Sequence, residues 1–251
     1  MVDIHSHILP SLDDGSRSLE ESLRMARQAV STGIRHMAAT SHGNFYDYML
    51  EDYWTVFRKT QEAFTTEQIP LKMYPGMEIF LDEDAFFLLE KKELLSLNNT
   101  DYLLVEFDFE ELSEKVVDRI GRLKKKGWRV VLAHPERYRF IQRKPDLAYD
   151  LADRGCILQM NGGSLLGDFG RTCQRTALRF LEDGIVGAIA SDTHDAEYRT
   201  PSAERVCRFL ESFYEPAAVK LWMSENPSRI LKGMPVLDLR KINLNGTEKG
   251  F

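Results

Sequence analysis

The chain has 251 residues, is 43% hydrophobic and carries a formal net charge of −6. That length and apolar content suffice for one fully cored domain, and the acidic balance argues against nucleic acid as the principal ligand. No run approaches the roughly 18 apolar residues of a membrane span, and Met1-Val2-Asp3-Ile4-His5 lacks the basic start and apolar stretch of a signal peptide, so the expectation is a cytoplasmic protein, not membrane-embedded.

In chain order, Val2 to His5 reads as the first strand. Ser18-Leu19-Glu20-Glu21 is a capping box that opens a helix, with Leu19, Leu23, Ala26 and Val30 on one face. Gly33 ends that helix, and Ile34 to Ala38 forms the second strand. Leu71 to Glu78 is the third, and Tyr102 to Glu106 the fourth, an apolar run closed by a carboxylate. Val116, Ile120 and Leu123 mark the next helix face. Gly127, Gly155 and Gly184 then each precede an apolar run, Trp128 to Leu132, Cys156 to Leu158 and Ile185 to Ile189. Glycine at such a position caps a helix because it tolerates the left-handed conformation, and the run behind it has the character of a buried parallel strand. Val206, Leu210 and Phe213 form a last helix face. About seven strands alternating with helices imply an α/β protein of parallel βαβ units closed into a distorted barrel. Residues 1–237 make the single domain. From Asp238 to Phe251 the chain turns polar and reads as a mobile tail in preference to an interaction strand.

The acids and histidines fall on this map in a pattern not used in drawing it. His5 and His7 close the first strand, His42 the second, Glu78 the third, Glu106 the fourth, His134 the fifth, and Asp192 with His194 the last. In a parallel barrel those ends meet on one face. His5-Ser6-His7 and Asp192-Thr193-His194 each put two donors on one side of an extended segment, a spacing that suits a metal. Imidazole and carboxylate without thiolate favour zinc, manganese or iron over copper or a structural zinc site. His36 lies inside its strand and reads as a core or helix-facing histidine.

Cys156, Cys173 and Cys207 are scattered and odd in number, which suggests reduced core thiols. Cys173 to Arg179 satisfies the C-x5-R pattern of cysteine-dependent tyrosine phosphatases. Gln174 to Leu178 contains no glycine, however, and continues a helix through Phe180 and Leu181, so the match reads as chance.

The ordered set Asp3-Ile4-His5-Ser6-His7, Asp13-Asp14-Gly15, Ala39-Thr40-Ser41-His42, Pro75-Gly76-Met77-Glu78, Leu104-Val105-Glu106, Ala133-His134-Pro135-Glu136-Arg137 and Ser191-Asp192-Thr193-His194 resembles the polymerase-and-histidinol-phosphatase (PHP) superfamily. Within it, the chain is similar to the bacterial manganese-dependent protein-tyrosine phosphatases of capsule and exopolysaccharide loci. The resemblance covers about residues 1 to 235. It implies a distorted (β/α)7-type TIM-like barrel with three metal ions, Mn²⁺ first with iron or zinc as alternatives. The ligands it implies are His5, His7, Asp14, His42, Glu78, Glu106, His134, Asp192 and His194, with Glu78 bridging. Arg137 and Arg199 follow strand-end ligands and match positions implicated in phosphate binding. The implied partner is a tyrosine-phosphorylated protein, a tyrosine kinase of polysaccharide synthesis. Two alternatives stand beside this reading: a small-molecule phosphatase such as histidinol-phosphate phosphatase, and a non-catalytic metal-stabilised module that binds the kinase. The aromatic segment after His42, Phe45-Tyr46-Asp47-Tyr48, departs from the family, and could stack on a tyrosyl ring or pack half-buried.

Overall fold

The four glycines read as helix ends, Gly33, Gly127, Gly155 and Gly184, take φ of +94°, +91°, +81° and +70°, each turning the chain out of a helix toward the sheet. The computed structural model describes residues 1–241. Its strands are β1 (Val2–Asp3), β2 (His36–Ala39), β3 (Lys72–Pro75), β4 (Glu78–Phe80), β5 (Tyr102–Glu106), β6 (Arg129–Ala133), β7 (Ile157–Asn161) and β8 (Val186–Ala190). All pair in parallel, in the orders β1-β2-β3 and β4-β5-β6-β7-β8. Parallel bridges Ser6–Thr193 and His42–Glu78 join the two sheets at both seams and close the distorted barrel.

The third strand differs from expectation. Leu71 to Glu78 is two strands, interrupted at Gly76-Met77. Gly76 N–H donates to the buried hydroxyl of Tyr53 instead of to a ladder partner, and a Cβ at Gly76 would lie 3.0 Å from Leu97. Glu78 therefore opens β4 rather than ending the strand before it.

Two layers of apolar side chains hold the barrel. Leu104, Val131, Ala133, Ala188 and Ala190 fill its interior with Ile4 and Ala38. Their neighbours Leu103, Val105, Val130, Leu132 and Ile189 pack outward against helices. This two-sided burial explains why these strands read as unbroken apolar runs.

The helix Leu19–Ser31 starts as its capping box implies, with the Ser18 side chain accepting from Glu21 N–H. The carboxylate of Glu21 reaches one residue further back than expected, to Arg17 N–H and the Arg17 guanidinium. Ser22, Met25, Ala26 and Ala29 are buried, whereas Leu23 and Val30 only flank the core. Phe213 lies beyond the helix Ala203–Glu211 and is exposed. Cys156 and Cys173 are buried free thiols, and Cys207 is half-buried. His36 lies away from the other histidines, its Nδ1 3.0 Å from the Tyr74 hydroxyl. Leu237 is tied to Asn226 by hydrogen bonds in both directions, and Arg240 reaches Asp153, so the chain through Lys241 lies against the body. Of the tail expected over 238–251, the first residues are held by the Arg240 contacts, contrary to a mobile segment, and 242–251 lie outside the described residues. No described helix is long and apolar enough to cross a membrane.

Candidate metal centre

All nine candidate ligands meet at the C-terminal mouth of the barrel. Their ligand atoms form four overlapping groups, each within 4.8 Å: His7, Asp14, His42 and His194; His5, His134 and Asp192; His5, His7 and Glu78; His42, Glu78 and Glu106. His5, His7, Glu78, His134, Asp192 and His194 are buried, and Asp14 is about half-exposed.

Backbone geometry delivers them. His5 and His7 leave β1, two residues apart on one side of the chain. Glu106 ends β5, and Glu78 stands opposite His42 at the seam bridge. His134 follows β6 with φ +35°, and Asp192 follows β8 with φ +52°. Left-handed backbone is uncommon in a non-glycine residue, and at these two positions it turns the chain as it leaves the strand and aims the side chain into the cluster.

Glu78 is the hub. Its Oε2 lies 3.1 Å from Nε2 of both His5 and His7, and its Oε1 lies 2.9 Å from His134 Nε2. Asp14 Oδ1 lies 3.5 Å from Nε2 of both His42 and His194. His42 Nδ1 sits 2.9 Å from Glu106 Oε1, yet at an angle that makes no hydrogen bond.

The electrostatics follow from crowding. Burial disfavours charge on His7, but Asp13 and Glu78 outweigh it and push its pKa up to about 10. Burial likewise opposes charge on His42, and Asp14 and Glu106 push it up to about 12. Burial works against ionisation of Glu78 and Asp192 as well, but the surrounding imidazoles, with Arg199 at Asp192, hold both well below the usual carboxylate range. Such a cluster attracts positive charge strongly. Imidazole nitrogens and carboxylate oxygens converging without thiols, the Nε2 atoms of His5 and His7 only 3.4 Å apart, fit hard or borderline divalent cations.

Arg137 and Arg199 both reach the rim of the cluster. Arg199 Nη2 donates to Asp192 Oδ2 at 2.6 Å and Arg137 Nη1 to the same oxygen at 3.1 Å. Arg199 Nε is buried without a hydrogen-bond partner. The Arg137 guanidinium lies 4.5 Å from the Phe169 ring centroid and 5.1 Å from that of Phe109. The segment after His42 divides between the two readings left open for it. Tyr48 packs inward and donates to His42 O, while Tyr46 stacks on the His42 ring at 5.6 Å and Phe45 is exposed. Asn44 exchanges two hydrogen bonds with the Phe80 backbone, which fixes this aromatic rim.

Sequence reading missed four supporting residues. The buried carboxylate of Asp13 accepts from His7 Nδ1 at 2.7 Å and from His42 N–H at 2.9 Å, so it orients two candidate ligands. Gly15 permits this turn, since a Cβ there would lie 2.2 Å from the His7 carbonyl oxygen. Gln159 and Asn161, buried on β7, touch His5 and Asp192. Their two-residue spacing in an apolar strand was the available signal. The C-x5-R cysteine lies inside the helix Arg171–Glu182, where burial raises its thiol pKa.

Known proteins share this arrangement. The sequence profile of the CpsB/CapC family, described as capsular polysaccharide synthesis, matches residues 1–232. Tyrosine-protein phosphatase YwqE of Bacillus subtilis is 35% identical over 94% of this chain and 93% of its own length. A putative tyrosine-protein phosphatase, CapC of Staphylococcus aureus, is 30% identical over 97% of this chain and 93% of its own. Crystal structures of YwqE and of CpsB from Streptococcus pneumoniae are described as unique metal-dependent tyrosine phosphatases. One superposes with a TM-score of 0.88 at 34% identity, over 94% of this chain and 96% of that one. A phosphotriesterase homology protein from Escherichia coli, 12% identical, superposes with a TM-score of 0.60 over 91% of this chain and 97% of its own, a likeness of fold. With the profile spanning nearly the whole barrel, the chain belongs to the CpsB/CapC family of capsular polysaccharide synthesis proteins.

Proposed function

We propose that this protein is a metal-dependent protein-tyrosine phosphatase. The observation that carries the reading is the convergence of nine imidazole and carboxylate ligands beside two arginines that share Asp192. On this reading the cluster holds three divalent ions, with Mn²⁺ first and iron or zinc as alternatives. His5, His7, Asp14, His42, Glu78, Glu106, His134, Asp192 and His194 would hold them in the overlapping groups that their ligand atoms form, with Glu78 shared between groups. Bound divalent ions supply an activated water at neutral pH and neutralise charge on phosphoryl oxygens.

The chain's own groups do the rest. A phosphate monoester reacts slowly because charge must be held on its oxygens while the attacking group is aligned. Arg137 and Arg199 each have one edge fixed by Asp192, which leaves their other N–H groups for phosphoryl oxygens. A guanidinium matches that geometry bidentately and keeps its charge at every working pH. Phe109 and Phe169 hold the Arg137 plane, and exposed Phe45 and Tyr46 offer apolar area to an aryl group beside the phosphate. A tyrosyl leaving group has a conjugate-acid pKa near 10, so protonation on departure matters less than for an alkyl ester.

The natural substrate on this reading is a tyrosine-phosphorylated protein, a bacterial tyrosine kinase of polysaccharide synthesis. The test compares kcat/KM for a phosphotyrosine peptide and for histidinol phosphate under the same Mn²⁺ loading. A preference of tenfold or more for the peptide is expected. The reverse preference would replace the reading by a small-molecule phosphatase.

A further inference from the structure

Strand β7 delivers no ligand, yet its last turn-facing side chains, Gln159 and Asn161, are fully buried polar amides between two strands that do. A buried amide must spend each donor and acceptor, and the partners here leave one arrangement. Gln159 Nε2 donates to the Met160 carbonyl at 2.9 Å and to Asn161 Oδ1 at 3.1 Å. Its Oε1 therefore faces His5 Nδ1, 2.7 Å away, and can only accept. Asn161, having accepted at Oδ1, turns Nδ2 to Asp192 Oδ2, where it donates at 2.6 Å. The backbone of Asn161 is fixed in turn by its N–H donating to the buried Glu136 Oε1 at 3.0 Å.

We infer that Gln159 and Asn161 are positioning residues forming a one-directional hydrogen-bond relay, His5 to Gln159 to Asn161 to Asp192, that sets two metal ligands together. At one end the relay places the His5 proton on Nδ1, leaving the Nε2 lone pair to face Glu78 and the cluster. At the other end, Asn161 joins Arg137 and Arg199 on Asp192 Oδ2, so that only Oδ1, 3.4 Å from His5 Nε2, is free to ligate. The tautomer of one ligand and the denticity of the other are thus fixed by the strand between them. Hydrogen bonds of this kind to ligating imidazoles and carboxylates orient them and raise their basicity.

The inference rests on the metal-centre reading, and one experiment separates the two. Zinc is titrated into metal-free protein against a chromophoric chelator, and ¹⁵N NMR of the zinc-loaded protein reports the His5 tautomer. Gln159→Met keeps the volume and removes all three side-chain hydrogen bonds. It is expected to weaken zinc binding about 10–100-fold and to release His5 from a single Nδ1–H tautomer. Gln159→Glu keeps the acceptor for His5 Nδ1–H but cannot donate to Asn161 Oδ1, so it should retain the single Nδ1–H tautomer of His5 while leaving the Asp192 end of the relay loose. Combining Gln159→Met with Asn161→Leu should cost no more than the larger single change, because one relay is broken either way. Three results each overturn the relay: Gln159→Met within twofold of the parent with His5 unchanged, Gln159→Glu releasing the His5 tautomer as Gln159→Met does, or losses that multiply. If Gln159→Met does not fold, Gln159→Glu alone decides, since an altered His5 tautomer in a folded protein contradicts the relay. A parent chain that binds no zinc would end both readings.

Discussion

Asp192 divides its two oxygens between two tasks: Oδ2 accepts from Asn161, Arg137 and Arg199, and Oδ1 faces His5 and His7. This division makes the arginines part of the same unit as the candidate metal ligands, and it separates charge from shape at Arg137. Lysine there would restore the charge but not the planar fork, nor the stack between Phe109 and Phe169. Arg137→Lys is therefore expected to lower kcat/KM on a phosphotyrosine peptide about 10²-fold or more, in line with loss of a preorganised donor at developing charge. Steady-state kinetics at saturating Mn²⁺ checks this, and activity within threefold of the parent would remove Arg137 from phosphate binding. Cys173 makes the opposite case. Its thiol lies in a helix, receives a hydrogen bond from Gln142, and is pushed up in pKa by burial. Cys173→Ser should leave kcat on the peptide within about twofold of the parent.

At the scale of elements, the loop from His7 to Ser16 shows how little room the site leaves. Asp13 spans from His7 to His42, and the loop closes because Gly15 lies against the His7 backbone. Gly15→Ala would force a methyl group into a carbonyl, and overpacking of this kind costs about 1–3 kcal/mol. Thermal unfolding should show a Tm lowered by several degrees, with weaker metal retention because His7 moves. An unchanged Tm would mean that the loop has slack its geometry does not show. The sequence made most elements legible for a simple reason: Gly33, Gly127, Gly155 and Gly184 end helices, and two-sided burial writes strands as apolar runs. Where a second constraint intervened, legibility failed. Gly76 was absorbed into one strand because its neighbours are strand-like, although Pro75-Gly76 is a turn signal and the Tyr53 hydroxyl takes the ladder's place. Strand β7 seemed to stop at Leu158 because Gln159 and Asn161 are polar, when their polarity is what serves the site. Phe213 fitted a helical spacing but falls past the helix end, because periodicity carries no information about where a helix stops.

At the scale of the molecule, the barrel explains why residues from 5 to 194 can form one centre. Parallel strands bring all their C-terminal ends to one face, and the two seam bridges, Ser6–Thr193 and His42–Glu78, lie at that face beside the ligands. Most candidate ligands were legible because they follow an apolar strand-like run, a one-dimensional feature that caught Glu78 even though it opens β4. Asp14 was reached only through family likeness, since it stands in a loop with no strand to announce it. The groups that orient the ligands were not legible, because Gln159 and Asn161 meet His5 and Asp192 only once the strands are side by side, and Asp13, near His7 in sequence, stands in a loop that no periodicity describes. On the proposed function, these ligands carry metal ions that the chemistry requires. The most direct measurement is hydrolysis of a phosphotyrosine peptide by protein stripped with chelator and then reloaded with Mn²⁺. Turnover should vanish on stripping, return on reloading, and fail to return in His134→Ala. Full turnover by the stripped protein, above all if Cys173→Ser abolished it, would contradict the account.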